Sequence, residues 1–81
     1  MKKESIAMWE RELKELKMNI SENVRAQRGM RGLSQERLAL EAGVDRTLVS
    51  KIERAVANPT LEVLTKLAVA LGVSVALLLQ P

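Results

Sequence analysis

The chain contains no cysteine and no histidine. Disulfides, thiolate chemistry, imidazole catalysis and the usual zinc sites are therefore excluded. Trp9 is the single aromatic residue, so the core must be built from aliphatic side chains. Few β-branched runs alternate with polar residues, which argues against strands. The apolar run from Val75 to Leu79 is far too short to cross a bilayer, and no signal peptide is recognisable. No EF-hand-like spacing of acids, phosphate loop or nucleophile–base pair is present. No metal, no cofactor and no enzymatic activity are expected.

What remains is aliphatic and helical. The 81 residues suffice for one domain, read as all-α, whose modest core would gain from oligomerisation. The lack of cysteine suits a reducing cytoplasm. The net charge of +3 is small, but its placement is uneven. Residues 19–54 carry seven Lys/Arg against five Asp/Glu, whereas residues 55–81 carry one of each.

Ile6, Trp9, Leu13, Leu16 and Ile20 are spaced as a heptad seam among Glu and Lys, which predicts an N-terminal helical extension over residues 1–18. Asn19 and Ser21 predict a break, with Ser21 capping a short helix to Met30 that turns Ile20 and Val24 inward. Ser34 caps a helix over 35–42, Asp45 one over 46–54, Thr60 one over 61–71 and Ser74 one to about Gln80. Leu61, Leu64, Leu67, Ala68 and Leu71 share one face of the fourth. The reading is five short helices over 19–81, preceded by the separate extension.

Within "EAGVDRTLVSKIER" one glycine separates two helices, and a steep crossing through so short a turn needs one residue with positive φ. Gly43 supplies it. Leu38 and Ala42 then line the inner face of the first helix, and Ala39 is small where the second passes. Val44 plugs the turn, and Val49 and Ile52 line the second helix. These positions satisfy a helix-turn-helix. Arg46, Thr47, Ser50, Lys51 and Arg54 are left facing outward, as donors and apolar groups suited to base edges in a major groove. Ser34 and Gln35 open a helix whose free N–H groups suit a phosphate.

"NVRAQRGMRGLSQERLALEAGVDRTLVSKIER", followed by "NPTLEVLTKLAVALGVSVALLL", resembles the phage-repressor and Cro-like (lambda-repressor-like) helix-turn-helix domain. Restriction–modification controller proteins and many small bacterial regulators share that domain. The resemblance implies five helices with the third in the major groove. By position it implies base reading by Arg46, Thr47 and Lys51, with Ser50 beside them. It implies phosphate contacts by Gln35 and Ser34 and by Arg54 and its following loop, including Asn58. It further implies a partly buried ion pair of Arg28 and Glu53. This chain departs from the family in three places. Ala55 replaces the usual glycine after the third helix, "AVAN" lacks the frequent basic residues, and Gln27 replaces a leucine.

One such domain reads few base pairs, so the expected function is a sequence-specific transcriptional regulator, repressor or controller in type. It would bind a pseudo-palindromic operator on double-stranded DNA as a homodimer. Val75, Leu77 and Leu79 are candidates for the dimer contact, with Leu78 as core. Residues 6–20 leave alternatives open. They can fold back to bury Trp9, pair with a second copy, dock a protein partner as in an antitoxin-like module, or stay solvated.

Overall fold

The computed structural model describes residues 3–81, with side chains from Met8 onward; Ile6 of the heptad seam therefore lies outside the described side chains. Five helices make the fold: α1 (Lys3–Met30), α2 (Gln35–Ala42), α3 (Arg46–Glu53), α4 (Leu61–Leu71) and α5 (Val75–Leu79). No strand occurs among the described residues. Ser34, Asp45, Thr60 and Ser74 cap the last four helices, each accepting from a main-chain N–H in the first turn.

The expected break at Asn19 and Ser21 is absent, and α1 runs through it as one helix of 28 residues. Asparagine and serine disfavour a helix when they bond to nearby backbone. Here their side chains are engaged elsewhere. The buried Ser21 hydroxyl donates to the main-chain carbonyl of Glu53 on α3. The Asn19 amide donates to the Leu79 carbonyl at 3.2 Å. The extension and the first helix of the domain are thus one element, and the described residues form five helices rather than six.

The core gathers Ile20 and Val24 of α1 with Leu38, Ala39, Ala42, Val49, Ile52, Leu64, Leu67, Ala68, Leu71 and Leu78. Among the described side chains, none before Ile20 belongs to it. At roughly 1.5 Å per residue, α1 accounts for the long dimension of a molecule measuring 44 × 21 × 19 Å. Its N-terminal half does not fold back: Trp9 remains 49% exposed. Leu61 shares the face of Leu64, Leu67, Ala68 and Leu71 but lies at its outer end. It opens α4 one turn ahead of the buried Leu64 and is exposed.

Asn23 holds α5 in place. Its amide donates to the carbonyls of Leu77 and Leu78 at 3.0 Å and of Gln80 at 2.7 Å, adding to the one main-chain bond from the Gln80 N–H to the Leu77 carbonyl that closes the helix. Val75, Leu77 and Leu79 pack half-buried against the core, and Leu78 is fully buried within it.

Candidate nucleic-acid interface

The turn between α2 and α3 follows from Gly43, which adopts φ 70°, ψ 37°, a left-handed conformation that costs glycine nothing. Its N–H and that of Val44 close the end of α2 onto Leu40 and Ala39 carbonyls. Val49 and Ile52 are buried, so the opposite side of α3 must face outward. Arg46, Thr47 and Lys51 are exposed there, and Ser50 is half-buried. Arg46, Thr47 and Ser50 line, with Gln35 of α2, an open cleft of about 170 Å³. Asp45 caps the helix, its carboxylate accepting from the Thr47 N–H at 2.9 Å.

The back of α3 is tied to α1 and α2 through Glu53, whose side chain is 3% exposed. Arg28 grips it with two bonds, Nε to Oε2 at 2.7 Å and Nη2 to Oε1 at 2.9 Å. Gln35 Nε2 donates to Oε1 at 3.1 Å. Burial pushes the Glu53 carboxyl up, but the bonds from Arg28 and Gln35 and the charges of Arg28 and Arg25 outweigh it. The carboxyl therefore sits below its ordinary value and stays ionised. The bond to Glu53 in turn raises the Arg28 guanidinium, against a smaller loss from burial.

Arg25 adds a further link that the sequence reading did not single out. Its guanidinium donates to the Glu53 main-chain carbonyl and lies 3.8 Å from Oε1. Ser21, Arg25 and Arg28 are spaced four and three apart, one polar stripe beside the apolar stripe of Ile20 and Val24. That periodicity was the available signal. Arg28 Nη1 also holds the Leu33 carbonyl at 2.9 Å, fixing the turn that leads into α2.

Arg46, Lys51 and Arg54 take part in no ion pair among the described residues, which leaves their charge for an anionic partner. Ser34 and Asn58 are exposed. Ser34 accepts from the Arg37 N–H at 3.0 Å, while Arg37 itself is engaged by Glu41 at 2.8 Å. Ala55, just past α3, is the single described non-glycine residue with positive φ, at 60°. The turn keeps the geometry that a glycine would take, so the departure produces strain and not a new path. Gln27 is half-buried on α1.

Comparison with known proteins agrees with this architecture. The helix-turn-helix family profile matches residues 24–78. Over 65 residues the chain is 45% identical to control protein C.SmaI of Serratia marcescens, covering 80% of this chain and 77% of that protein. The crystal structure of the hypothetical transcription factor NHTF from Neisseria superposes with a TM-score of 0.79 at 44% identity, covering 82% of this chain and 76% of that one. By sequence, the match spans 63% of the full Neisseria meningitidis protein. The restriction-modification controller protein C.AhdI from Aeromonas hydrophila gives a TM-score of 0.73 at 37% identity, covering 76% of this chain and 94% of that one. The chain belongs to the helix-turn-helix family. It is a DNA-binding transcriptional regulator of the controller type, a class without enzymatic activity.

Proposed function

We propose that the protein acts in the cytoplasm as a homodimer on a pseudo-palindromic operator, setting the expression of a small gene set as restriction–modification controllers do. The observation that carries this reading is the division of α3 into two faces. Val49 and Ile52 are locked into the core, while Arg46, Thr47 and Lys51 are exposed, and neither cation has an ion-pair partner among the described residues. Arg46 reads a guanine through O6 and N7, Thr47 supplies a hydroxyl and a methyl, and Lys51 reaches one turn further, with Ser50 between them. Ser34 and Gln35, at the free N-terminus of α2, meet one phosphate, and Arg54 and Asn58 meet others.

Two copies joined near α5, through the half-buried Val75, Leu77 and Leu79, would present two α3 helices to successive major grooves about 34 Å apart. Repression or activation then follows from occupancy of a site beside a promoter. The test is selection of bound duplexes from a random DNA pool. A recovered inverted repeat with half-sites one helical turn apart is the expected result. Recovery of no shared sequence, or of a single unrepeated half-site, would refute the homodimeric operator.

A further inference from the structure

The apolar seam on the N-terminal half of α1 serves nothing described so far. It lies outside residues 24–78, where the family profile matches. Trp9 and Leu16 are 49% and 40% exposed, and Leu13, although half-buried, is not among the side chains packed on the core. A helix carrying such a seam into solvent needs a partner to cover it.

We propose that the partner is the same segment of a second copy, lying parallel and in register, so that Trp9, Leu13 and Leu16 of the two protomers meet across the two-fold axis. The proposal rests on the homodimer reading above. Three observations select this occupant. First, the spacing from Trp9 through Leu13 and Leu16 to Ile20 is 4, 3, 4, which is the seam of a helix pair rather than the broader stripe of a helix laid on a globular surface. Ile20 itself is buried in its own domain, so the pairing ends after Leu16 and the two domains splay apart there.

Second, the flanking charges complement themselves. Glu10, Glu12 and Glu15 alternate with Arg11, Lys14 and Lys17, so the segment carries no net charge. A surface meant for a strongly basic or acidic protein would be biased to one sign. In a parallel pair, Glu12 at a g position faces the e position held by Lys17 in the other copy.

Third, the attachment of α5 dictates the direction. Asn19 and Asn23 bind the end of α5, so α5 lies beside α1 close to the foot of the seam. If the seams paired antiparallel around Leu13, those attachment points would be separated along the axis by about 24 Å at 1.5 Å per residue. The two α5 helices could not then touch. A parallel pair keeps both contacts and leaves both α3 helices at the same end of the dimer, where one duplex can meet them. A seam this short does not hold a dimer alone. Joined to the α5 contact they act at high effective concentration and tighten it.

Trp9 reports on the seam directly, because no other residue of the chain is aromatic. As concentration is raised through the dimerisation range, its fluorescence emission is expected to move to shorter wavelength. In the double variant Leu13→Gln/Leu16→Gln that movement is lost. By sedimentation equilibrium its dimer dissociation constant rises about tenfold or more, with an unchanged helical circular dichroism spectrum. Trp9→Cys, the sole cysteine of its chain, forms a disulfide-linked dimer on oxidation and keeps the seam testable should the glutamine variant fold poorly. The proposal is overturned if the parent dimerises while Trp9 emission stays constant, which leaves the seam free for a protein of another kind. Unchanged dimerisation of the double variant overturns it too, as does cross-linking of Leu13→Cys without Trp9→Cys, the antiparallel signature. A parent that stays monomeric removes the homodimer reading along with it.

Discussion

Arg28 on α1 and Glu53 on α3 are joined by two parallel hydrogen bonds of 2.7 and 2.9 Å, and the carboxylate at their centre is almost wholly removed from water. The recognition helix is therefore oriented from behind by a charge that needs its partner. Replacing such a pair with apolar residues often costs little, whereas removing one side strands the other. Arg28→Ala is expected to lower stability by about 3 kcal/mol, measured by urea unfolding near pH 7.

That loss should depend on pH, and its sign follows from the Glu53 carboxyl. In the parent its folded value lies below the unfolded one, about 4.3, so its contribution is present above that pH and is lost as pH falls through the folded value. Without Arg28, burial is opposed only by Gln35 and Arg25, and protonation relieves a stranded charge. The difference in stability between parent and Arg28→Ala should shrink steadily as pH drops from 7 to below about 4. A difference constant over that range would mean that Arg28 acts through packing rather than charge.

Ala55 holds φ 60° immediately after Arg54. A left-handed conformation costs a residue with a Cβ about 1–2 kcal/mol, and glycine returns part of that gain by loosening the unfolded chain. Ala55→Gly is expected to raise stability by about 0.5–1 kcal/mol. The midpoint of thermal unfolding should rise by a few degrees, and DNA affinity should stay near that of the parent. The converse change, Gly43→Ala, meets no atom within 4 Å of the new Cβ, so its cost isolates the backbone strain at φ 70°. It should fall near the same 1–2 kcal/mol.

The helices from residue 34 onward were legible because each carries its own start and stop. Ser34, Asp45, Thr60 and Ser74 are caps by local chemistry, and Gly43 and Gly72 adopt left-handed conformations that other residues avoid. The outward row of α3 was legible for a related reason: once Val49 and Ile52 are placed inside, Arg46, Thr47 and Lys51 have no other side to occupy. The continuity of α1 was not legible. Asn19 and Ser21 look like helix breakers until α5 and α3 are present to accept their hydrogen bonds. Local propensity lost there to contacts 32 to 60 residues away in sequence. The exposure of Leu61 was not legible either, since a shared helical face does not say where the neighbouring helices end.

Arg46 should govern specificity rather than general affinity. It is exposed at the start of α3, free of any ion pair among the described residues, and beside the cleft formed with Gln35 and Ser50. Arg46→Ala is expected to weaken operator binding by about 1–3 kcal/mol and to relax preference at one base pair of each half-site. If titrations against single-base variants of the operator show equal losses at every position, Arg46 is a phosphate contact and not a reader. The loop after Arg54, Ala55 to Asn58, has no basic residue. The parent's affinity should therefore fall less steeply with salt than that of a relative carrying lysines there, by about one unit of slope per missing contact.

Asn23 couples α1 to α5. Its amide bonds the Leu77, Leu78 and Gln80 carbonyls and so anchors α5, a helix of only 5 residues that local propensity alone cannot maintain. Asn23→Ala should cost about 1–2 kcal/mol, chiefly from the part-buried Leu78 carbonyl that loses its side-chain donor. The more telling effect concerns assembly. If Val75, Leu77 and Leu79 form the contact between protomers, loosening α5 must weaken dimerisation and, through it, binding to a full operator. Binding to an isolated half-site should change little, because α3 and its Glu53 brace are untouched. Equal losses on the full and half operators would place the effect in the domain as a whole and separate α5 from the dimer contact.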